Sequence, residues 1–277
     1  LPPRWQQCRV DCGESGERLL ERWGHTATSV GAGRVLVFGG FGGGGQERRA
    51  NDIVLVRAAP RDPAQIAARR VATPTDDDVA PPSPRCFHTA TRVAVGAERK
   101  PAVLVFGGRG GPSNALNDVH VLTLGIQWLS DDPAVADCDV AALAWRAPSV
   151  HGEAPPPRYR HSATALASGR AVLILGGRDA ARVFADAWLL RIHSPTSVAW
   201  ERVACVSSAT PIPPLFSHSA VAQAGTVYVV GGFAAPDAAH VSSATWAISL
   251  RGLEQKQTQV DARGGGRRDG GGGARRW

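Results

Sequence analysis

Four histidines head four similar stretches of this 277-residue chain, and imidazole is the side chain best suited to proton transfer or metal ligation near neutral pH. The stretches read His25-Thr-Ala-Thr, His88-Thr-Ala-Thr, His161-Ser-Ala-Thr and His218-Ser-Ala-Val. No acidic residue recurs beside them, so neither a base with its orienting carboxylate nor a ligand set assembles from the spacing. Packing at the start of a strand, with a backbone hydrogen bond, is the expected role. The five cysteines (Cys8, Cys12, Cys86, Cys138 and Cys205) are odd in number and irregular in spacing. Cys8 and Cys12 alone fall short of the four ligands of a zinc site. Reduced thiols are the simplest reading, which suits a cytoplasmic or nuclear setting. Gly40-Phe-Gly-Gly-Gly-Gly45 satisfies a Gly-x-Gly-x-x-Gly string. A nucleotide-binding turn would have to open a helix, whereas Asn51-Asp52 and another apolar strand follow, so the string reads as a loop tip. Catalytic residues, metal ligands and a cofactor site are therefore not expected in this chain.

Arginine offers a different chemistry. Arg22, Arg85 and Arg158 each stand three residues before a histidine, with Arg160 beside the third, and Arg109 and Arg178 directly follow Gly-Gly pairs. Trp23, Phe87 and Tyr159 are interleaved with them. Repeated positions gather around one end of a ring, where guanidiniums bind phosphate or carboxylate in bidentate fashion and aromatic rings stack on bases. Such residues predict a polyanion-contacting mouth; the competing reading has the arginines tie structure together through backbone carbonyls. Asp52, Asp118 and Asp186 also recur, in an Asn-Asp setting that reads as turn chemistry.

The elements that position these residues follow from the repeat itself. Each histidine leads a small-residue strand. An apolar strand ending in Gly-Gly follows: Val35–Gly40, Val103–Gly108, Val172–Gly177 and Val227–Gly232. The offsets from His to the first Gly are 14, 19, 15 and 13 residues. The excess in the second unit falls at Ala97–Lys100, at a hairpin tip where insertions disturb no ladder. A third strand starts near Asn51-Asp52, Asn117-Asp118, Ala185-Asp186 and Ala244-Thr245, and Trp145 and Trp200 mark a fourth. That fourth strand looks degenerate around Ile66–Thr73, with extra loop expected at 58–84 and 125–142. Trp5, in a stretch with the same look as those around Trp145 and Trp200, is expected to supply the missing outer strand of the last unit.

Four strands per unit, repeated every 57 to 73 residues, is the signature of an all-β, kelch-type β-propeller. We assign residues 1–254 to it, with units near 22–74, 85–148, 158–206 and 215–250, residues 1–10 as a closing strand, and 255–277 as a disordered Gly/Arg tail. The four visible units are expected to be part of a larger ring. The chain has no Met, which reads as one segment of a longer protein. Net charge is +7 and no run of about 18 apolar residues occurs, so an anionic partner is allowed and a membrane span is not expected.

The stretches Arg22–Ala27, Arg85–Thr91, Arg158–Ala163, Phe38–Gly43 and Gly107-Gly108-Arg109 go beyond a generic kelch unit. They resemble the kelch region of the wybutosine-synthesising, leucine-carboxyl-methyltransferase-like proteins. That resemblance covers roughly residues 15–250, departing at Leu215-Phe216-Ser217-His218, where Leu stands in the Arg position. It implies tRNA and an adjoining methyltransferase domain as partners. S-adenosylmethionine would be the cofactor of that parent protein, bound outside this chain. The alternative is a kelch adaptor that recruits a protein partner, for example to a ubiquitin ligase. A methyltransferase domain upstream would favour the first, a BTB-type or F-box-type domain the second.

Overall fold

The computed structural model describes residues 7–13, 18–31, 33–42, 48–59, 62–71, 79–125, 143–204, 213–234 and 241–250. The expected strand at Trp5, the tail at 255–277, the acidic Asp76–Asp78, Gly43–Gly45, Cys138 and Cys205 lie outside the described residues. Among the described residues every regular element is a strand.

The first unit contains β1 (Arg9–Asp11), β2 (Arg22–Trp23), β3 (Thr26–Gly31), β4 (Arg34–Phe38), β5 (Phe41–Gly42), β6 (Ile53–Ala59) and β7 (Asp62–Val71). Its sheet runs β1-β7-β6-β4-β3, with β2 and β5 a separate pair. The second unit has β8 (Thr89–Val95), β9 (Lys100–Arg109), β10 (Ala115–Leu124) and β11 (Leu143–Arg146), in the order β11-β10-β9-β8. The third has β12 (Ser149–His151), β13 (Ser162–Ala165), β14 (Ala171–Leu175), β15 (Ala187–Ser194) and β16 (Ser197–Val203), in the order β12-β16-β15-β14-β13. The fourth has β17 (Ser219–Gln223), β18 (Thr226–Val230) and β19 (Thr245–Ser249). These are propeller blades: antiparallel meanders whose His-led strand is innermost.

Two expectations change. The outer strand of the first blade is not degenerate: β7 forms it without Trp, burying Ala68 and Val71. Arg9 and Val10 do not lie on the fourth blade. They run parallel to β7 on the first, as β12 does to β16 on the third. The chain enters both blades along an outer edge whose unpaired backbone groups accept a parallel neighbour.

Apolar alternation along the strands gives each blade two faces, and neighbouring blades bury one face each. Leu36, Phe38 and Ile53 of the first blade meet Val103, Val105 and Leu122 of the second. Leu104, Phe106 and Val121 meet Ile174, Trp188 and Leu190 of the third. Leu173, Leu175 and Leu189 meet Val227 and Val229 of the fourth. These three cores lie between blades, so the sheets hold one another in place, while a fourth, of Leu19, Val37, Val54 and Ala68, lies within the first blade.

The Gly-Gly pairs permit this close approach. A Cβ on Gly107 would lie 2.7 Å from the carbonyl oxygen of Arg158 in the next blade, and φ there is +61°. Only glycine combines that conformation with that contact.

Candidate functional site

The recurring arginines and aspartates pair with each other. Arg85 donates from Nη1 and Nη2 to the two carboxylate oxygens of Asp118, both at 2.7 Å. Its remaining N–H groups reach the Gly107 carbonyl, the Ser83 carbonyl and the Ser83 hydroxyl. Arg22 makes the same fork to Asp52 and reaches the Gly39 carbonyl. Arg158 does so to Asp186 and the Gly176 carbonyl. Each fork joins the approach to the inner strand, the Gly-Gly bend and the start of the third strand within one blade. The three guanidiniums are buried, and Arg85 spends all five donors.

This corrects two expectations. Arg22, Arg85 and Arg158 do not present their forks to a polyanion, because each guanidinium is buried and its fork is spent on an aspartate and backbone carbonyls. Asp52, Asp118 and Asp186 are not merely turn formers but the counter-charges of those forks. Burial works to raise the Asp118 carboxyl pKa, but hydrogen bonds from Arg85 and His120 and their charges outweigh it and hold it well below the usual range. Asp52 and Asp186 are lowered on the same balance, by Arg22 and Arg158 respectively.

The histidines join blades, and their ring partner is mostly a hydroxyl rather than a backbone group. His88 Nε2 lies 2.9 Å from Thr26 Oγ1, His161 Nε2 2.9 Å from Thr89 Oγ1, and His218 Nε2 2.8 Å from Ser162 Oγ. In each case the hydroxyl belongs to the preceding blade. The Nδ1 atoms of His88, His161 and His218 are buried without partners. The tautomer that leaves no orphan N–H therefore carries its proton on Nε2.

The residue just before each histidine is left-handed: Gly24 (φ 65°), Phe87 (56°), Arg160 (56°) and Ser217 (54°). Their backbones link across blades. Phe87 N donates to Gly24 O at 2.7 Å, Arg160 N to Phe87 O at 3.0 Å, and Ser217 N to Arg160 O at 2.8 Å. This row forms the floor of a strip on which aromatic rings and guanidiniums alternate. Trp23 meets Phe41 (5.4 Å between centroids) and Phe87 (5.3 Å). Arg160 lies 4.2 Å over the Phe87 ring. Arg109 and Arg178 lie 5.4 and 6.0 Å over Tyr159, and Arg178 is 5.0 Å from Phe216.

Of the nine expected site residues, the strip thus unites six: Trp23, Phe87, Arg109, Tyr159, Arg160 and Arg178. The other three are the buried forks. Burial lowers the pKa of the Arg160 guanidinium, Tyr159 opposes this, and the charges of Arg178 and Arg109 lower it further. Three cations thus share one patch, and among the described residues no carboxylate hydrogen-bonds to Arg109 or Arg160. Arg160 Nε is buried without a partner. Trp23, at 55% exposure, leaves a large ring face open at one end of the strip.

Sequence reasoning missed the extension of this patch on the first blade. Arg48, Arg49 and Arg70 join Arg22 and Asp52 around a cleft of about 440 Å³. Arg49 lies 5.6 Å from the centroid of Phe41, which continues the strip. The paired Arg48-Arg49 and Arg69-Arg70 were its only signal, and neither pair recurs in the other units. Among the described residues no group of three or more His, Cys, Asp or Glu side chains could hold a metal ion. Among the described residues no helix is long and apolar enough to cross a membrane.

Comparison with known proteins agrees with this geometry. The chain is similar to the tRNA wybutosine-synthesizing protein 2/3/4 of Arabidopsis thaliana, 32% identical over 168 residues that cover 60% of this chain and 13% of that protein. The rice protein of that name is similar to the same extent. Human host cell factor 1 is 27% identical over 179 residues, covering 62% of this chain and 8% of its own. The chain spans only about an eighth of the length of the wybutosine-synthesizing relatives. Residues 130–273 match the KLHDC2/KLHL20/DRC7 Kelch-repeats domain, and the chain belongs to that kelch-repeat family.

Proposed function

We propose that this chain is the accessory kelch propeller of a tRNA wybutosine-synthesising protein, and that it docks tRNA along the aromatic and arginine strip. The observation that carries this is the convergence of Arg109, Arg160 and Arg178 on the Phe87 and Tyr159 rings. Arg109 spends Nε and Nη2 on the Gly111 and Pro112 carbonyls and Arg178 spends Nε on the Asp179 carbonyl, but their charges and that of Arg160 still favour phosphate oxygens, and an open ring such as Trp23 accepts an unstacked base. The 32% identity to wybutosine-synthesizing proteins supports tRNA as the polyanion. The propeller adds binding and orientation only. S-adenosylmethionine would be held by a methyltransferase domain docked beside it.

The test is tRNA binding by the folded chain across a salt series. Micromolar or tighter affinity, falling steeply with salt, is expected. Combined replacement of Arg109, Arg160 and Arg178 by Gln should reduce the magnitude of the log–log salt slope by about two to three. An unchanged slope in the folded triple variant, or no binding at low salt, would overturn the proposal. The remaining reading would then be a protein-docking adaptor.

A further inference from the structure

The loops that follow the Gly-Gly bends close in the same way in three blades. Gly42 N donates to Arg48 O at 2.9 Å in the first, Gly110 N to Asn114 O at 2.9 Å in the second, and Asp179 N to Arg182 O at 3.0 Å in the third. The next residue bridges to the one just after the bend: Arg49 to Phe41, Ala115 to Arg109, Val183 to Arg178 and, in the fourth blade, Val241 to Phe233. Arg48 thus stands where Asn114 and Arg182 stand, and Arg49 where Ala115, Val183 and Val241 stand.

These equivalences separate what the fold requires from what it does not. Small or apolar side chains serve at the Arg49 position in the other three blades, so the blade itself has no need of a guanidinium there. Arg182 has its own counter-charge, donating from Nη2 to Asp179 at 3.0 Å. Gly42 holds the Asp179 position in the first blade, which keeps the cation of Arg48 and omits the acid. Among the described residues no carboxylate pairs with Arg48 or Arg49, and Arg49 Nε is buried without a partner.

A third cation comes from the outer strand. Asp118 and Asp186 take an extra donor from two residues along their own strands, His120 at 2.9 Å and Trp188 at 2.7 Å. Asp52 takes it instead from Arg70 on β7, whose Nε donates at 3.2 Å and whose side chain is 48% exposed. Both Asp52 oxygens are engaged by Arg22, which offsets the carboxylate charge. The cleft of about 440 Å³ among these groups therefore carries the excess positive charge of Arg48, Arg49 and Arg70. Gathering like charges is unfavourable, and a bound anion relieves it.

We infer that this cleft is a phosphate-binding site, and that it takes the phosphomonoester of a nucleotide whose base lies on Trp23. A carboxylate would answer only one of the three charges. A phosphomonoester brings about two negative charges and three acceptor oxygens to the arginine forks. The platform for the base adjoins the cleft: Arg49 lies 5.6 Å from the Phe41 centroid, Phe41 lies 5.4 Å from Trp23, and Trp23 is 55% exposed. An aromatic face stacks on any base, so the site selects the phosphate rather than the base. It goes beyond the tRNA reading: it shares Trp23 with the strip but needs none of Arg109, Arg160 and Arg178.

Calorimetric titration of the full chain with adenosine 5′-monophosphate, adenosine, inorganic phosphate and acetate tests this. Arg48→Asn with Arg49→Val copies the residues that other blades carry, so the double variant should fold. The monophosphate should bind saturably at low salt, and at least about tenfold more weakly to the double variant. Trp23→Ala should weaken the monophosphate and leave inorganic phosphate unchanged. Binding no tighter than that of adenosine or acetate, or unchanged in the double variant, would overturn the inference. Replacing Arg109, Arg160 and Arg178 by Gln, which tests the strip, should leave the monophosphate bound; its loss there would place the nucleotide on the strip instead. A 5′-phosphorylated oligoribonucleotide that displaces the monophosphate would identify an RNA end as the source, and failure to displace it a free nucleotide. Equal displacement by the 5′-hydroxyl form would overturn the monoester assignment.

Discussion

Leu215 and Ala244 occupy in the fourth blade the positions that Arg158 and Asp186 occupy in the third. Gly177 N donates to Leu215 O just as Gly108 N donates to Arg158 O. The pairing of Val230 with Thr245 matches that of Leu175 with Ala187, which sets Ala244, one residue before Thr245, in the Asp position. Both members of the fork are lost together, as expected when an unpaired buried charge costs more than an apolar substitute. One trace remains. Trp188 Nε1 donates to Asp186 at 2.7 Å, whereas Trp246 Nε1, at the equivalent position, is buried without an acceptor. Leu215→Arg should destabilise the chain by about 2–4 kcal/mol, and Ala244→Asp, at a half-buried position, by less. Together they should recover at least about 2 kcal/mol of the summed loss, by restoring the fork and giving Trp246 an acceptor. Urea unfolding of the four-member cycle measures the coupling; additive losses would show that no fork forms.

The fork in the second blade is unequally buried. The Arg85 side chain is 0% exposed and that of Asp118 is 40% exposed. Asp118→Asn leaves a fully buried guanidinium without its counter-charge and should cost about 3–5 kcal/mol. Arg85→Met leaves a carboxylate that water and His120 still reach, and should cost less. Equal losses in denaturant titrations would contradict this asymmetry.

Acid should unfold the chain through its histidines before its carboxylates. Burial lowers the pKa of His88 to about 3, with help from the Arg85 charge, and that of His218 to about 4. Burial and then the Arg158 charge hold His161 well below its ordinary value. An unfolded histidine titrates near 6.5, so below that pH the unfolded chain binds protons that the native chain refuses, and stability falls as pH drops. Each histidine contributes a slope of up to about 1.4 kcal/mol per pH unit between its unfolded and folded values. The lowered pKa values of Asp52, Asp118 and Asp186 make a contribution that is complete above the ordinary carboxylate range and begins to be lost only as the pH falls into it. Stability measured from pH 7 to 4.5 should therefore fall with a slope approaching three protons. His218→Gln should remove about one of them.

Glycine to alanine substitution should distinguish an occupied blade boundary from an open one. Gly107→Ala combines left-handed strain, about 1–2 kcal/mol, with a clash against the Arg158 carbonyl. Gly231→Ala carries the strain alone, since nothing lies within 3.4 Å. Thermal unfolding should show a clearly larger loss for Gly107→Ala.

The repeat was legible because it is written in local chemistry. Small residues after a histidine, an apolar run closed by Gly-Gly, and Trp145 and Trp200 mark strands whose neighbours along the chain are also their neighbours in the sheet. The same locality hid β7, whose alanines and arginines carry little strand signal until Val54 and Val56 lie beside them. The roles of the charged residues depended on tertiary structure. Arg85 and Asp118 are 33 residues apart, and only the folding of one blade brings the fork and carboxylate together. By spacing alone, Arg85 and Arg109 look equally able to face a ligand; the fold buries one and lays the other on Tyr159. The histidine partners lie 56 to 72 residues away, across blade boundaries that exist only once two sheets have packed. Strand type and period are properties of neighbouring residues, whereas burial and charge pairing depend on what the rest of the chain places around a side chain.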